Sequence, residues 1–185
     1  MKKLCAQLFF FLSGWKLKVN DYQKYIPSVM IAAPHTSNWD FPYSLAAFWL
    51  MGIPVRYFIK DIYTKGPWGY FFRWTGAIGV NRSKKGSGLT EYAISLLKSE
   101  KDLVIIVPAE GTRSKVEKWR TGFYTIANEA KVNISLGYLD YKLKEAGILD
   151  CFKPSGVFEE DMERIQALYK PIHAKFPEKY NEKIY

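Results

Sequence analysis

Five apolar runs without polar alternation constrain the fold of this 185-residue chain most strongly. Strands that are covered on both faces show this pattern, whereas strands with one face in solvent alternate. The runs occupy residues 28–33, 54–60, 76–80, 102–107 and 132–139. Segments with helical periodicity separate them, such as the one in which Leu89, Ala93 and Leu96 share a face. The sequence therefore predicts an α/β fold with a mostly parallel central sheet flanked by helices.

Beyond residue 140 the pattern is less regular. Residues 149–156 are a candidate for one more strand, and apolar positions from Phe158 to Ile172 fit a terminal helix that covers the domain. His173, near the end of that helix, is expected to be a surface or cap residue. No repeat or long polar linker divides the chain. The predicted organisation is one domain over residues 19–185, preceded by an N-terminal helix in residues 1–18.

The N-terminal segment combines Lys2 and Lys3 with an apolar run from Leu4 to Leu12. It lacks the small-residue cleavage site of a signal peptide, and it is shorter than the roughly 20 apolar residues that span a bilayer. We expect an amphipathic helix that lies in the membrane interface. An ordinary helix packed on the domain fits the same residues equally well.

The net charge of +9 predicts attraction to polyanions, which include anionic lipids, phosphorylated substrates and nucleic acids. The aromatic content of 17% favours a membrane surface, because Trp and Tyr beside Lys and Arg suit the boundary between headgroups and water. No nucleic-acid-binding motif is recognisable, so nucleic acid is not an expected partner. Two histidines, and two cysteines without CxxC spacing, provide no zinc ligand set, which predicts a metal-free protein of a reducing compartment.

Three polar clusters each follow a predicted strand directly. They are residues 34–40 (PHTSNWD), residues 81–86 (NRSKKG) and residues 108–114 (PAEGTRS). Because the carboxyl ends of parallel strands meet at one edge of a sheet, where α/β proteins bind ligands, we expect the clusters to share one site. They would bring together a histidine, two carboxylates and two arginines.

His35 and Asp40 cannot face each other within one helix, because five residues place them roughly 140° apart around its axis. They can meet if His35 precedes the helix and the chain turns between them, as Pro34 and the TSN sequence allow. Asp40 could then accept the Nδ1 proton and leave Nε2 as a general base. The alternative is that Asp40 only caps a helix and that His35 is an ordinary loop histidine. Taken alone, these residues favour the second interpretation, because a His and an Asp five residues apart are common in sequences.

Residues 110–114 offer a turn with free amides and one guanidinium. Arg113 could hold a phosphate through two parallel hydrogen bonds, and Gly111 would let the backbone approach it closely. A polar surface loop with a salt bridge is the alternative. The segment from Lys60 to Arg82 mixes cations with aromatic residues and could form a cationic acceptor site. The simpler expectation places its aromatic residues in the core: Trp68, Tyr70, Phe71, Phe72 and Trp74.

The order and spacing of these motifs resemble those of the glycerolipid acyltransferase family, which includes the 1-acylglycerol-3-phosphate acyltransferases. His-x-Ser-x-x-Asp comes first, followed by Lys, Gly-Pro-x-Gly and Arg, and then by Glu-Gly-Thr-Arg-Ser. The resemblance covers roughly residues 28–139.

This resemblance implies that His35 is the catalytic base and that Asp40 orients it. It also implies a site for a phosphate-bearing acceptor, for which the candidate residues are Lys60, Arg82, Glu110, Gly111, Thr112 and Arg113. The family transfers acyl groups from CoA or acyl-carrier-protein thioesters to lysophospholipids, without a metal or other cofactor. We therefore expect a peripheral or monotopic acyltransferase at the cytoplasmic face of the membrane.

The chain departs from the family pattern at several positions. Pro34 precedes the histidine where Asn is frequent, Ala109 interrupts the Pro-Glu-Gly sequence of the third motif, and the fourth motif is replaced by VNISLGYLDY. The expected acceptor is 1-acylglycerol-3-phosphate, which would become phosphatidic acid, and glycerol-3-phosphate, another lysolipid or an aminolipid are the alternatives. A covalent route through Ser37 or Ser114 is the alternative mechanism. A non-catalytic membrane-binding module and a thioester hydrolase are the alternatives from other functional classes.

Overall fold

The computed structural model describes residues 1–18, 23–81 and 88–185. Its helices are α1 (Lys2–Ser13), α2 (Asp40–Met51), α3 (Gly66–Trp74), α4 (Leu89–Ser99), α5 (Gly122–Ala130) and α6 (Phe158–Tyr169). Its strands are β1 (Lys16–Lys18), β2 (Ser28–Ala32), β3 (Val55–Lys60), β4 (Ala77–Val80), β5 (Val104–Val107), β6 (Asn133–Asp140) and β7 (Glu145–Phe152).

Within the described residues, seven strands form one sheet in the order β1-β7-β6-β2-β5-β3-β4. Strands β2 to β6 run in the same direction, because β2 pairs in parallel with β5 and β6, and β3 pairs in parallel with β4 and β5. Strand β7 is antiparallel to β6, and β1 extends that edge parallel to β7. The predicted α/β domain with a mostly parallel central sheet is confirmed.

Separate cores cover the two faces of the sheet. On one face, α4, α5 and α6 pack against the strands, and Leu97, Phe123 and Ile165 are buried there. On the other face, α1 and α2 bury Phe10 and Phe48. The central strands are therefore apolar on both sides. This is why their sequences show uninterrupted apolar runs.

The last strand and the last helix differ from the prediction. Strand β7 spans Glu145–Phe152 rather than residues 149–156, and α6 ends at Tyr169 rather than near Ile172. The turn between β6 and β7 contains Lys144 with a left-handed backbone, φ 52°. Gly or Asn is usual in that conformation, so the turn carries no recognisable signal and the start of β7 is hidden in the sequence.

Helix α1 packs on the domain with one face and leaves an apolar face exposed. Ala6 and Phe10 are buried in the core that α1 shares with α2. The opposite stripe, at spacing i, i+4, i+7 and i+8, is exposed and consists of Leu4, Leu8, Phe11 and Leu12. Across residues 1–18, 23–81 and 88–185, no helix is long and apolar enough to cross a membrane. Residence of α1 in a membrane interface stays a prediction.

Most aromatic residues of α3 are exposed, so the prediction that they belong to the core is wrong. Exposed are Trp68, Tyr70, Phe71 and Trp74. The Lys2 ammonium of α1 donates to the Trp74 carbonyl oxygen at 2.8 Å and lies 4.5 Å from the Trp74 ring centroid. Helix α1 therefore begins beside the end of α3, and their exposed apolar residues occupy neighbouring parts of the surface.

The five parallel strands end at the same edge of the sheet, where the predicted polar clusters lie. His35 comes shortly after β2, residues 108–113 follow β5, and Lys60 is the last residue of β3. Tyr141 follows β6 directly. Because β6 and β5 are the two neighbours of β2, the residues after these two strands lie on either side of His35.

Candidate active site

His35 and Asp40 contact each other across the turn between β2 and α2. The Nδ1 atom of His35 lies 3.1 Å from Asp40 Oδ2. Because a carboxylate oxygen accepts hydrogen bonds, this contact places the imidazole hydrogen on Nδ1 and leaves Nε2 able to accept a proton. His35 lines a large cavity together with Pro34, whose peptide bond to Ala33 is cis.

Asp40 also holds the turn that precedes it. Its Oδ2 accepts the N–H groups of Thr36 and Ser37, each at 2.9 Å. Although Asp40 is the first residue of α2, its carboxylate bonds residues before the helix rather than the free amides of the first helical turn. The interpretation in which Asp40 only caps the helix does not describe these hydrogen bonds. With 5% of Asp40 exposed, they are sheltered from water.

The second carboxylate oxygen of Asp40 is bonded to Tyr141, the last residue of the VNISLGYLDY segment, which was not among the predicted site residues. The hydroxyl of Tyr141 donates to Asp40 Oδ1 at 2.7 Å. Burial raises the pKa of Tyr141, and the hydrogen bond to Asp40 and its negative charge raise it further, so the phenol remains a donor. Two features of the sequence could have indicated Tyr141: it directly follows β6, and it ends the segment that replaces the fourth motif.

Glu110 lies behind His35 and not among the residues that line the cavity. Its side chain is buried, and Oε1 accepts the backbone N–H of His35 at 2.8 Å. Burial raises the pKa of Glu110 from 4.5 to about 8; the charge of Asp40 acts in the same direction, and the His35 N–H acts against it. Glu110 was predicted to bind substrate, and the structure places it instead as a support for the backbone of His35.

A cavity of about 1100 Å³ opens beside His35 and extends between the sheet and α2. Its buried wall consists of apolar residues from β2, α2, β3 and β6: Met30, Ala47, Phe48, Met51, Val55 and Leu139. Ligand sites of proteins commonly combine such an apolar interior with a few polar groups at one end. The polar end here is the sheet edge that carries His35.

Among the described residues, the cations that line the same cavity are Lys60, Arg113 and Arg120. Arg120 was not predicted, because it belongs to none of the motifs. It packs so closely on Gly111 that a Cβ atom at residue 111 would lie 2.6 Å from Arg120 Nε. Gly111 also has a φ of +69°, so both its conformation and its neighbour require glycine.

The structure brings most of the predicted site residues to one place. Lining the cavity are His35, Asp40, Lys60, Gly111, Thr112 and Arg113. Arg82 of the second motif lies outside the described residues. Ser37 also lines the cavity, where its Oγ accepts the Trp39 N–H at 3.1 Å. In the described part of the chain, no group of three or more His, Cys, Asp or Glu side chains is placed to hold a metal ion.

Comparison with known proteins agrees with the motifs. The sequence model of a family described as Acyltransferase matches residues 17–135. Among solved structures, the chain is similar to the crystal structure of the 1-acyl-sn-glycerophosphate (LPA) acyltransferase PlsC from Thermotoga maritima, with a TM-score of 0.60 and 16% sequence identity. That similarity covers 92% of this chain and 75% of the other. No curated protein sequence matches the chain.

Proposed function

Because the chain belongs to the acyltransferase family, we propose that it transfers a fatty acyl group from a thioester to the hydroxyl of a lysophospholipid. The acceptor is 1-acylglycerol-3-phosphate, which becomes phosphatidic acid, and the donor is an acyl-CoA or an acyl-carrier-protein thioester. One observation carries the proposal. The hydrogen-bonded pair of His35 and Asp40 opens onto a cavity that combines cations with an apolar interior.

The histidine supplies the base that a hydroxyl acceptor needs. His35 Nε2 takes the hydroxyl proton while the acceptor oxygen attacks the carbonyl carbon of the thioester. The tetrahedral intermediate then collapses, the C–S bond breaks, and the leaving thiolate takes the proton from the imidazolium. Asp40 keeps the imidazole in the required tautomer and stabilises its positive charge during the reaction.

Direct transfer is favoured over a route through an acyl-enzyme. A serine nucleophile would need its hydroxyl hydrogen-bonded to the base. Among the described contacts, the Ser37 hydroxyl accepts the Trp39 N–H, and Ser114 is exposed, with its backbone N–H donating to Thr112 Oγ1 at 3.3 Å. Neither hydroxyl is bonded to His35, so the acceptor oxygen is the nucleophile.

The apolar wall of the cavity accepts the acyl chain. Burial of each methylene contributes about 0.8 kcal/mol, so a fatty chain gains much of its binding free energy there. The wall lies between β2 and α2, and His35 stands where the two meet at the sheet edge. A chain that fills the apolar part therefore presents its carbonyl carbon near His35.

The cations suit the phosphate of the acceptor. Lys60 ends β3, and Arg113 and Arg120 both lie in the loop between β5 and α5, so the three charges reach the cavity from two segments. A guanidinium binds phosphate through two parallel hydrogen bonds, and an ammonium adds a compact charge. Within residues 1–18, 23–81 and 88–185, none of the three forms a salt bridge with a carboxylate, so their charge is available to a ligand.

The protein works at the cytoplasmic face of the membrane as a peripheral or monotopic enzyme. The exposed apolar stripe of α1 and the exposed aromatic residues of α3 support this location. Lys3, Lys16 and Lys18 add positive charge to the same N-terminal segment. Aromatic rings and lysines next to an apolar stripe match the boundary between headgroups and acyl chains.

A thioester assay distinguishes the candidate functions. Purified protein is incubated with a long-chain acyl-CoA, with and without 1-acylglycerol-3-phosphate, and both free thiol and lipid product are followed. We expect thiol release that requires the acceptor and matches the phosphatidic acid formed. Thiol release that ignores every acceptor would indicate a hydrolase. No release from acyl-CoA or acyl carrier protein would favour a membrane-binding module, and product from another acceptor only would change the substrate but not the reaction.

The phosphate site has its own matched pair of variants. Arg113→Ala should raise the KM for 1-acylglycerol-3-phosphate by about tenfold, because a hydrogen-bonded charge pair is lost. Arg164→Ala is the control, since Arg164 is an exposed arginine of α6 that pairs with Asp150 on β7. An Arg113→Ala protein with an unchanged KM would remove Arg113 from the acceptor site.

A further inference from the structure

One hydrogen bond to Asp40 comes from a distant part of the chain. Oδ2 accepts from His35, Thr36 and Ser37 at 3.1, 2.9 and 2.9 Å, so these bonds lie within the turn itself. Among the described residues, Oδ1 accepts from Tyr141 alone, at 2.7 Å. This bond ties the carboxylate to the end of β6, an interior strand of the sheet that pairs with β2.

We propose that Tyr141 is a positioning residue of the acyl-transfer reaction, an inference that rests on the proposed function. By holding Oδ1, its hydroxyl fixes the plane of the carboxylate with Oδ2 toward His35 Nδ1. This keeps Nε2 directed at the place where the acceptor hydroxyl binds. Tyr141 does not line the cavity, so it acts through Asp40 and touches neither substrate.

The ring of Tyr141 is held by three separate parts of the chain. Trp15 of the N-terminal segment meets it edge to face with centroids 5.0 Å apart, and Tyr43 of α2 does so at 6.1 Å. The Lys175 ammonium lies 5.4 Å from the ring centroid, and Trp15 and Tyr43 stack on each other at 4.1 Å. A ring confined in this way has little freedom to rotate, so its hydroxyl is aimed at Asp40 before substrate binds.

The backbone that carries Tyr141 is anchored as well. Its N–H donates to the carbonyl oxygen of His173 at 3.0 Å. The adjacent Asp140 is buried, and its carboxylate accepts the amides of Lys142 and Leu143 and contacts His173 Nδ1 at 2.9 Å. His173, expected only as a surface or cap residue, thus joins the segment after α6 to the β6–β7 turn. Tyr141, which supports Asp40, is therefore held both at its backbone and at its hydroxyl.

Tyr141→Phe removes the hydroxyl and keeps the ring. Loss of a hydrogen bond to a charged group should lower kcat by about tenfold, while KM stays within about twofold because the cavity is unchanged. Tyr43→Phe is the matched control, since it removes from the same ring cluster a hydroxyl that is not among the described hydrogen-bond partners of Asp40, and it should keep the wild-type kcat. Activity is measured as thiol release from a long-chain acyl-CoA that depends on 1-acylglycerol-3-phosphate, and melting temperatures are compared in parallel.

A double-mutant cycle separates positioning from a general structural role. If Tyr141 acts through the carboxylate, Tyr141→Phe should cost less than about twofold in kcat when Asp40→Asn is already present. A tenfold cost in both backgrounds, or a wild-type kcat for Tyr141→Phe alone, overturns the proposal. If Asp40→Asn lowers kcat and Tyr141→Phe does not, the role of Tyr141 is refuted and the catalytic pair is not. A fully active Asp40→Asn refutes the proposed catalytic pair together with the inference.

Discussion

Glu110→Gln should remove a pH dependence from the stability of the protein. The Glu110 side chain is 3% exposed, and burial raises its pKa from 4.5 to about 8. Between these two values the unfolded chain has released the proton while the folded protein retains it. The wild-type protein therefore loses stability as pH rises through this window. Gln keeps the shape of the protonated side chain and a carbonyl acceptor for the His35 N–H, and it has no proton to lose.

The pH range between the two pKa values of Glu110 sets the size of the change in the free energy of unfolding. One bound proton that differs between the folded and unfolded states changes the free energy of unfolding by about 1.4 kcal/mol per pH unit. From pH 5 to pH 7 the wild type should lose about 2.5 kcal/mol that the variant does not lose. For a chain of this length, that difference corresponds to about 5 to 10 °C in melting temperature. Above about pH 8 the two stability curves should run parallel, because folded Glu110 is then ionised as well.

Denaturant unfolding at pH 5, 6, 7 and 8, followed by tryptophan fluorescence, measures this difference. Glu117→Gln is the control, because Glu117 is an exposed glutamate in the next part of the same loop and its loss should leave the wild-type pH dependence intact. Every other titrating group is shared by the compared proteins. Parallel curves for the wild type and Glu110→Gln between pH 5 and 7 would refute the conclusion that buried Glu110 retains its proton.

Three further changes have defined outcomes. Asp40→Asn should lower kcat by at least about a hundredfold in the thioester assay, because the imidazolium loses its neighbouring negative charge; a loss below tenfold would contradict this role. Arg120→Ala should raise the KM for 1-acylglycerol-3-phosphate by about tenfold, whereas an unchanged KM would exclude it from phosphate binding. Leu8→Gln combined with Phe11→Gln should weaken binding to anionic vesicles by about 30-fold in a sedimentation assay. Leu143→Gln is the control variant for vesicle binding, since Leu143 and Leu8 are each 58% exposed. An equal loss of vesicle binding in the two variants would argue against α1 as the membrane contact.

The parallel part of the fold was predictable because its signals are local in sequence. Each buried parallel strand has its own apolar run and is followed at once by the loop that contributes to the sheet edge. Helix geometry showed that His35 and Asp40 could meet only across a turn, so it allowed the pair without establishing it. The family resemblance then supplied roles that the residues alone left open.

Strands β7 and β1, at the edge of the sheet farthest from β4, were harder to predict. Strand β7 includes Asp150 and follows a turn in which Lys144, and not glycine, has the left-handed conformation. Strand β1 has only three residues, Lys16–Lys18, two of which are charged. Such segments lack both the apolar run of a buried strand and the turn signal of a hairpin.

The contacts of the site depend on the order of the strands in the sheet. No single stretch of the sequence specifies that order. Strand β6 lies beside β2 and brings Tyr141 to Asp40, and β5 on the other side of β2 brings Glu110 under the backbone of His35. The sequence also did not determine whether the aromatic residues of α3 are exposed or buried. An aromatic helix of the same sequence is compatible with a protein core and with an outer surface.

The general-base role of His35 is decided by comparing the wild type with His35→Ala. The two proteins are assayed for phosphatidic acid formed from an acyl-CoA and 1-acylglycerol-3-phosphate, and for binding to anionic vesicles. Removal of the base should reduce transfer by at least about a hundredfold. Vesicle binding should be unchanged, because the exposed apolar residues of α1 and α3 are untouched. Transfer by His35→Ala within about tenfold of the wild type would contradict catalysis by this histidine.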